Sequence, residues 1–380
     1  MPTLHVAAMP FPSVQGTQAA VRAMVEAEHR AGRGPELLTY AHGSHVEEPA
    51  WPHHRIRDLV RDRSLRSGPS LRKLVEDAQL AVAARQHFAR MEPTAVIAHH
   101  VEATAACLAA RLTPTLFVAH TALEPELPTY LPATVSQLAE RAGGALDVAL
   151  ASRAGRVAAV SPWLQRYFEE RADRRVAYVP VPWSVPEPFD AAERARARRR
   201  FDLEPTVPVV LYTGNLDRYQ GLDVLVRGFA RLRERRPKAR LLIATASSVE
   251  SLEQRLWSAG HARAAIFAPL GDEPDRRVAH AAADVAWVPR HSPGGLPMKL
   301  LDAMARGLPT VASRAAAAGL DLERGAMVTA DRDPEALAAA SLLVFDGREG
   351  ARDLAARGVA FVRTAHSEAR FLDALDSALA

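Results

Sequence analysis

Cysteine is nearly absent. Cys107 stands alone in 380 residues, which excludes an intrachain disulfide and a metal cluster built on thiolates. A reducing, cytoplasmic setting is the expectation. Long apolar runs are missing too: none approaches the roughly 18–20 residues that span a bilayer, and the start, MPTLHVAAMPFPSVQG, lacks a basic stretch followed by a long apolar core. Membrane contact is therefore expected only from outside, at the inner face. Aromatic residues make up 6% of the chain and do not interleave with the basic clusters, so no nucleic-acid partner is expected. Charge of one sign is also scarce. Forty-eight Lys plus Arg against 44 Asp plus Glu leave a formal +4, too little to demand a polyanionic partner despite a pI near 9.5.

What is present is an ordinary globular composition, 48% hydrophobic and 24% charged, in a chain long enough for two cores. Short apolar runs alternate with longer segments of helical period, the pattern of parallel strands joined by crossover helices. Strands are expected at 4–9, 36–40, 95–99, 115–119, 157–160 and 177–179. A second series follows at 209–212, 240–244, 265–268, 284–288 and 310–312. The fold class is thus α/β with two Rossmann-like domains. Between the series, PVPWSVPEPFD (180–190) carries Pro180, Pro182, Pro186 and Pro188, which impose an extended connection. Domains are expected over 1–182 and 183–362. Alanine-rich helices should follow at 334–345, 348–361 and 367–380, with segment 363–380 packing back on the first domain.

Two segments of the second half could hold an anion. In PVVLYTGNLDRYQG, Gly214 and Gly221 bracket a turn at a strand's carboxyl end, where backbone amides and the next helix's N-terminus meet a phosphate. The plain alternative is that both glycines serve turn geometry alone. In HSPGGLPMKLLDAMARGLPTVAS, Gly294 and Gly295 permit close backbone approach and Pro297 suits the first turn of a helix. Lys299 and Asp302, three apart, share one face of that helix, and an exposed ion pair is the bland reading. In the first half, Gly16 opens a helical run after the first strand. His120 ends the strand TLFVA and should project toward the crevice where open α/β sheets bind ligands. His99 and His100 are adjacent, so they point to opposite faces and do not suit one metal. Glu124 and Glu126 lie near enough to shape a pocket, and the DRD at 331–333 reads as a turn and helix cap.

These motifs resemble the retaining glycosyltransferases of family 4, of GT-B fold. The resemblance is carried by YTGNLDRYQGLDVLVRGFARL, by GGLPMKLLDAMARGLPTVAS and by VSPWLQRYF at 160–168, and more faintly by PSVQGTQAAVRAMVEAEHRAG and TLFVAHT. It implies parallel sheets facing a central cleft, an acceptor-side first domain, and a second domain that binds a nucleotide sugar. It implies a UDP- or GDP-sugar as substrate, with no cofactor and no metal. Donor contacts would fall on Gly16, Gly214, Asn215, Arg218, Gln220, Gly221, Gly294, Gly295, Leu296, Pro297, Lys299 and Asp302, and His120 would lie beside the transferred sugar. The sequence departs from the family where two glutamates eight apart are common, having Gly294 and Asp302. Asn215 and Gln220 replace the arginine and lysine that commonly grip the diphosphate. Arg218 and Lys299 are the nearest substitutes.

The resemblance implies a saccharide or lipid-linked saccharide acceptor and transfer with retention. Residues 55–73, RIRDLVRDRSLRSGPSLRK, carry seven basic and two acidic side chains interleaved with apolar ones, a candidate for peripheral contact with anionic lipid or else a solvated helix. The rival readings are a nucleotide-sugar 2-epimerase, which would need catalytic carboxylates that have no assignment here, and an inactive nucleotide-sugar-binding protein.

Overall fold

The computed structural model describes residues 2–44, 47–59, 70–112, 115–322 and 325–380. Most of the basic segment, residues 60–69, lies outside them. The chain divides into two compact units. Unit 1 comprises Met1–Pro182, Gly294–Leu296 and Glu368–Ala380, and unit 2 comprises Trp183–Pro293 and Pro297–Ser367.

Unit 1 holds a seven-stranded parallel sheet of β1 (Thr3–Ala7), β2 (Glu36–Thr39), β3 (His53–Arg55), β4 (Ala95–His99), β5 (Thr115–Ala119), β6 (Arg156–Ala159) and β7 (Ala177–Tyr178), in the order β3-β2-β1-β4-β5-β6-β7. Unit 2 holds a six-stranded parallel sheet of β8 (Val209–Thr213), β9 (Arg240–Thr245), β10 (Ala265–Pro269), β11 (Val285–Val288), β12 (Thr310–Ser313) and β13 (Met327–Thr329), in the order β10-β9-β8-β11-β12-β13. In each, the strand order reverses next to the first strand, between β1 and β4 and between β8 and β11. Crevices at such switch points, at the carboxyl ends of strands, are where open α/β sheets bind ligands.

The apolar runs expected from the sequence form the interior strands because a parallel sheet is covered on both faces. In unit 2, Val210, Tyr212, Leu241, Ile243 and Trp287 pack on one face with Phe229 and Leu337, while Val209, Leu211, Leu242 and Ala244 pack on the other with Ala279 and Ala303. The alternation has the period of two that a strand requires. β3 and β13 were not expected. Both are three-residue edge strands of partly exposed residues, so neither needs an apolar run to form.

The final helix, Glu368–Leu379, lies within unit 1, where it buries Phe371 and Leu375. Arg30 grips Glu368 through two nitrogens at 2.7 and 3.1 Å, and Arg33 does the same to Asp376 at 2.6 and 2.8 Å. Among the described residues no helix is long and apolar enough to cross a membrane.

Candidate functional site

The four helices that follow the switch-point strands begin at Gly16, His100, Leu222 and Met298, and none has a side-chain cap at its N-terminus. Several helices that begin elsewhere are capped, by Ser70, Ser161, Asp190, Asp272 and Asp333. An uncapped N-terminus leaves amide donors and the positive end of the helix dipole for an anion.

In unit 2, β8 runs into Gly214, which takes φ +107°, and Gly221 takes φ +73° as the N-cap of the helix Leu222–Arg235. A Cβ at Gly221 would lie 2.0 Å from the Pro289 carbonyl oxygen, and one at Gly214 would lie 3.0 Å from the Lys299 ammonium. The first glycine position admits the lysine and the second lets the loops after β8 and β11 meet. Pro297 is the N-cap of the helix Met298–Ala305, one place before its expected position within the first turn.

Lys299 is partly buried. Its Nζ stands 4.1 Å from the centroid of the Tyr212 ring and donates to Gln220 Oε1 at 3.0 Å. Gln220 Nε2 donates to Asn215 Oδ1 at 2.5 Å, and Asn215 Nδ2 donates to Asp217 Oδ2 at 2.8 Å. The two residues that depart from the family pattern thus form a polar chain leading to Lys299. Burial, then the positive charge of Arg290, holds the Lys299 ammonium well below its usual range, with Asp217 opposing. An anion placed beside it would reverse that shift, which is the electrostatic condition for a phosphate site.

Arg290 was not among the residues singled out from the sequence. It stands two residues past the end of β11, after Pro289, is 8% exposed, and lies 5.1 Å over the Tyr219 ring. Its signal was a cation two residues past the end of an apolar strand at the switch point. Arg218 is exposed, and no hydrogen bond or ion pair holds it among the described residues. Asp302 is turned to other partners than Lys299. Its Oδ1 accepts from Arg306 Nε at 3.0 Å, its Oδ2 is 3.7 Å from His280 Nε2, and Arg306 continues to Glu273 at 2.7 Å.

In unit 1, Gly16 is the exposed first residue of the helix Gly16–Arg30. His120 follows β5 and is 4% exposed. Gly295 and Leu296 group with this unit, as does Gly294. Gly295 bridges Thr121, Ala122 N donates to Gly294 O at 3.1 Å, and a Cβ on Gly295 would lie 2.6 Å from the His120 carbonyl oxygen. His100, set aside from the sequence, is held at φ +76° with its ring parallel to that of His120 at 6.5 Å. A β-carbon residue in the left-handed region costs free energy, and such residues gather at functional sites. His100 Nε2 meets Thr121 Oγ1 at 2.8 Å. Burial opposes its charge, but the hydrogen bond and charge of Glu102, with Glu126 and Asp147, raise its pKa above the ordinary value. His120 is driven the other way, to about 3, by burial and by the charge of His100.

Glu124 and Glu126 are engaged locally. Glu124 pairs with Arg171 at 2.5 Å and accepts from Tyr167, and Glu126 accepts from Tyr130. Among the described residues one trio, Glu36, His54 and His87, brings possible metal-ligand atoms within 4.8 Å. It sits at the start of β2, away from the carboxyl ends, and the Arg90 guanidinium bonds both Glu36 and His87 there.

Residues 207–346 match the family described as glycosyl transferases group 1, a stretch that falls almost wholly within unit 2. D-inositol 3-phosphate glycosyltransferase of Acidothermus cellulolyticus is 35% identical over 181 residues, 45% of this chain and 37% of that protein. The chain spans less than half the length of the curated relatives it matches. Solved structures extend the likeness to the whole chain. Sucrose-phosphate synthase from Thermosynechococcus elongatus superposes with a TM-score of 0.83 at 19% identity, covering 99% of this chain and 98% of that one. Anabaena HepE in complex with UDP-glucose does so at 0.78 and 18%, covering 99% of each. The fold is therefore that of the GT-B glycosyltransferases, two Rossmann-like parallel-sheet domains.

Proposed function

We propose that this protein is a metal-independent glycosyltransferase that moves a sugar from a UDP- or GDP-sugar to a hydroxyl of a saccharide or lipid-linked saccharide, with retention. The observation that carries the reading is the Lys299–Gln220–Asn215 chain, set between two positive-φ glycines and two uncapped helix N-termini at the β8/β11 switch point. Lys299 and Arg290 supply the cationic charge, and backbone amides after Gly214, Gly221 and Pro297 supply the donors, that a departing diphosphate requires. The group 1 domain over 207–346 and the UDP-glucose bound by HepE support a nucleotide-sugar donor. The role of the sugar-side histidine falls to His120.

A retaining transferase of this kind needs no pair of catalytic carboxylates, unlike a retaining glycosidase. Asp302 keeps a role in the donor site as the acid of the Arg306–Glu273 cluster, which orients the helix bearing Lys299. The test is a thermal-shift and turnover screen with UDP- and GDP-sugars in metal-free buffer. A ligand that binds the native state raises its apparent stability by mass action. A Tm increase with one donor, together with release of its nucleoside diphosphate, supports transfer. An isomerised donor would make the protein an epimerase, and binding without turnover would make it a nucleotide-sugar-binding protein. No shift with any nucleotide would overturn the reading.

A further inference from the structure

Behind His120 runs a buried row of polar side chains that the donor site does not use. Thr3, His5 and Ala7 alternate along β1, and His5 turns to the helix Gly16–Arg30, where Glu28 projects inward. Thr3 Oγ1 donates to Glu28 Oε2 at 2.9 Å, and Glu28 Oε1 is 2.8 Å from His5 Nε2. His5 Nδ1 is 2.9 Å from His99 Nε2, and His99 Nδ1 is 3.0 Å from His120 Nε2. Glu28 is 0% exposed, His5 and His99 are 1% exposed, and His120 is 4% exposed. Four residues drawn from a helix and three strands or strand ends make one continuous hydrogen-bonded line across the centre of the sheet. Polar groups buried in this way cost several kcal/mol unless every one is partnered, so the line forms as a whole or is strongly destabilising.

Such a line has a direction. A neutral imidazole has one N–H and one lone pair, whereas a carboxylate only accepts. With Glu28 accepting from both Thr3 and His5, the His5 proton is on Nε2 and its Nδ1 must accept. His99 then donates from Nε2 and accepts at Nδ1, and His120 donates from Nε2. One carboxylate at the far end dictates the protonated nitrogen of a ring three hydrogen bonds away. Burial, reinforced by the neighbouring histidines, holds His99 well below its ordinary pKa, and His120 is likewise held down, which keeps both rings in the neutral forms that the line requires.

We propose that Glu28, His5 and His99 are positioning residues that lock His120 as its Nε2–H tautomer, leaving Nδ1 as a hydrogen-bond acceptor for a hydroxyl of the bound sugar. The assignment of the ligand as a sugar rests on the transferase reading; the relay does not. An acceptor of fixed sense distinguishes an O–H from a group that cannot donate. Sugars deoxygenated or fluorinated at the contacted carbon should therefore lose turnover alike, since fluorine keeps the size of the hydroxyl but has no proton to give.

The test is ¹⁵N-histidine NMR of the full chain at neutral pH, where long-range couplings identify the protonated nitrogen of each ring, with His5, His99 and His120 assigned by single substitution. The expected result is the Nε2–H tautomer at all three. In Glu28→Gln the amide can give or accept, so His120 should become a tautomer mixture. Turnover should then fall about 10- to 100-fold in kcat at unchanged donor KM, in proportion to lost orientation of the ring. His120 as Nδ1–H or as a mixture in the wild type would overturn the proposal. So would a Glu28→Gln protein whose His120 tautomer and kcat both stayed as in the wild type. If that variant does not fold, the wild-type spectrum decides alone. The spectrum needs no substrate, so absence of turnover would count against the transferase reading and not against the relay.

Discussion

The carboxyl ends of the two sheets are built on opposite plans. In unit 2 the groups that matter come from short stretches, 212–221, 289–293 and 297–302, and they meet through glycines that allow backbone and lysine to approach. In unit 1 they come from Thr3, His5, Glu28, His99, His100 and His120, scattered over more than a hundred residues and joined through the interior. The first plan suits binding of a common anion by backbone amides and a cation. The second suits orientation of one side chain, whose use depends on which nitrogen carries a proton. The contrast also explains why the recognisable family segment, 207–346, falls almost wholly in unit 2. A site confined to contiguous loops leaves a pattern in sequence, and a relay assembled from isolated positions does not.

The largest effect that would break this comparison is loss of the cation in unit 2. Lys299→Ala should lower kcat/KM by about 10²- to 10³-fold, the scale of removing one preorganised group that stabilises developing charge. The fold should persist, because what is lost among the described residues is the hydrogen bond to Gln220, the contact with the Tyr212 ring and the attraction to Asp217. Steady-state kinetics and the melting temperature check both halves of the statement, and unchanged kinetics would remove Lys299 from the proposed donor site.

A smaller effect, on stability, tests whether the unit 2 loops really depend on glycine. Gly221→Ala must accommodate a Cβ 2.0 Å from the Pro289 oxygen at φ +73°, which should cost about 2–4 kcal/mol when strain and clash act together. Urea denaturation measures it. A change below about 0.5 kcal/mol, the range of an ordinary surface substitution, would show that the two loops can part freely.

The smallest effect separates the units by pH. Asp147 in unit 1 is fully buried. Burial raises its pKa to about 6, against hydrogen bonds from the Leu123 and Glu124 amides and Tyr167 and the charge of His100. The folded value lies above the unfolded one, so its contribution is fully present below the unfolded pKa near 4 and is lost as pH rises through about 6. Asp302 in unit 2 runs the other way. Burial raises its pKa, but His280, Arg306 and Arg276 outweigh that and hold it below the usual carboxylate range, so its contribution is present at neutral pH and is lost as pH falls through the folded pKa. Asp147→Asn should flatten the stability-against-pH curve between about pH 4 and 6, by at most a few kcal/mol, and leave the acid limb. Asp302→Asn should flatten only the acid limb. Identical curves for the two variants would refute the assignment.

The interior strands were legible because strands covered on both faces must be apolar runs, as VVLYT and RLLIAT are. The edge strands His53–Arg55 and Met327–Thr329 were not, since half-exposed three-residue strands carry no such demand. Gly214, Gly221, Lys299 and His120 could be singled out because each stands at a strand end or helix start, a place that local pattern marks. Arg290 was passed over although it stands in such a place, lost among many arginines. Helical spacing placed Lys299 and Asp302 on one helix and was silent about their partners. Arg306, one turn further on, and His280, from another helix, take the carboxylate instead.

By itself the sequence determined the α/β class, the two series of strands and the glycine-bracketed loops of unit 2, because periodicity and glycine act within a few residues of where they stand. Only the tertiary structure decided the direction of the polar chain to Lys299, the place of Arg290 and the line from Glu28 to His120. Those depend on which side chains are brought within hydrogen-bonding distance, and between residues as far apart as His5 and His99 that is settled by strand order and register, which no local pattern encodes.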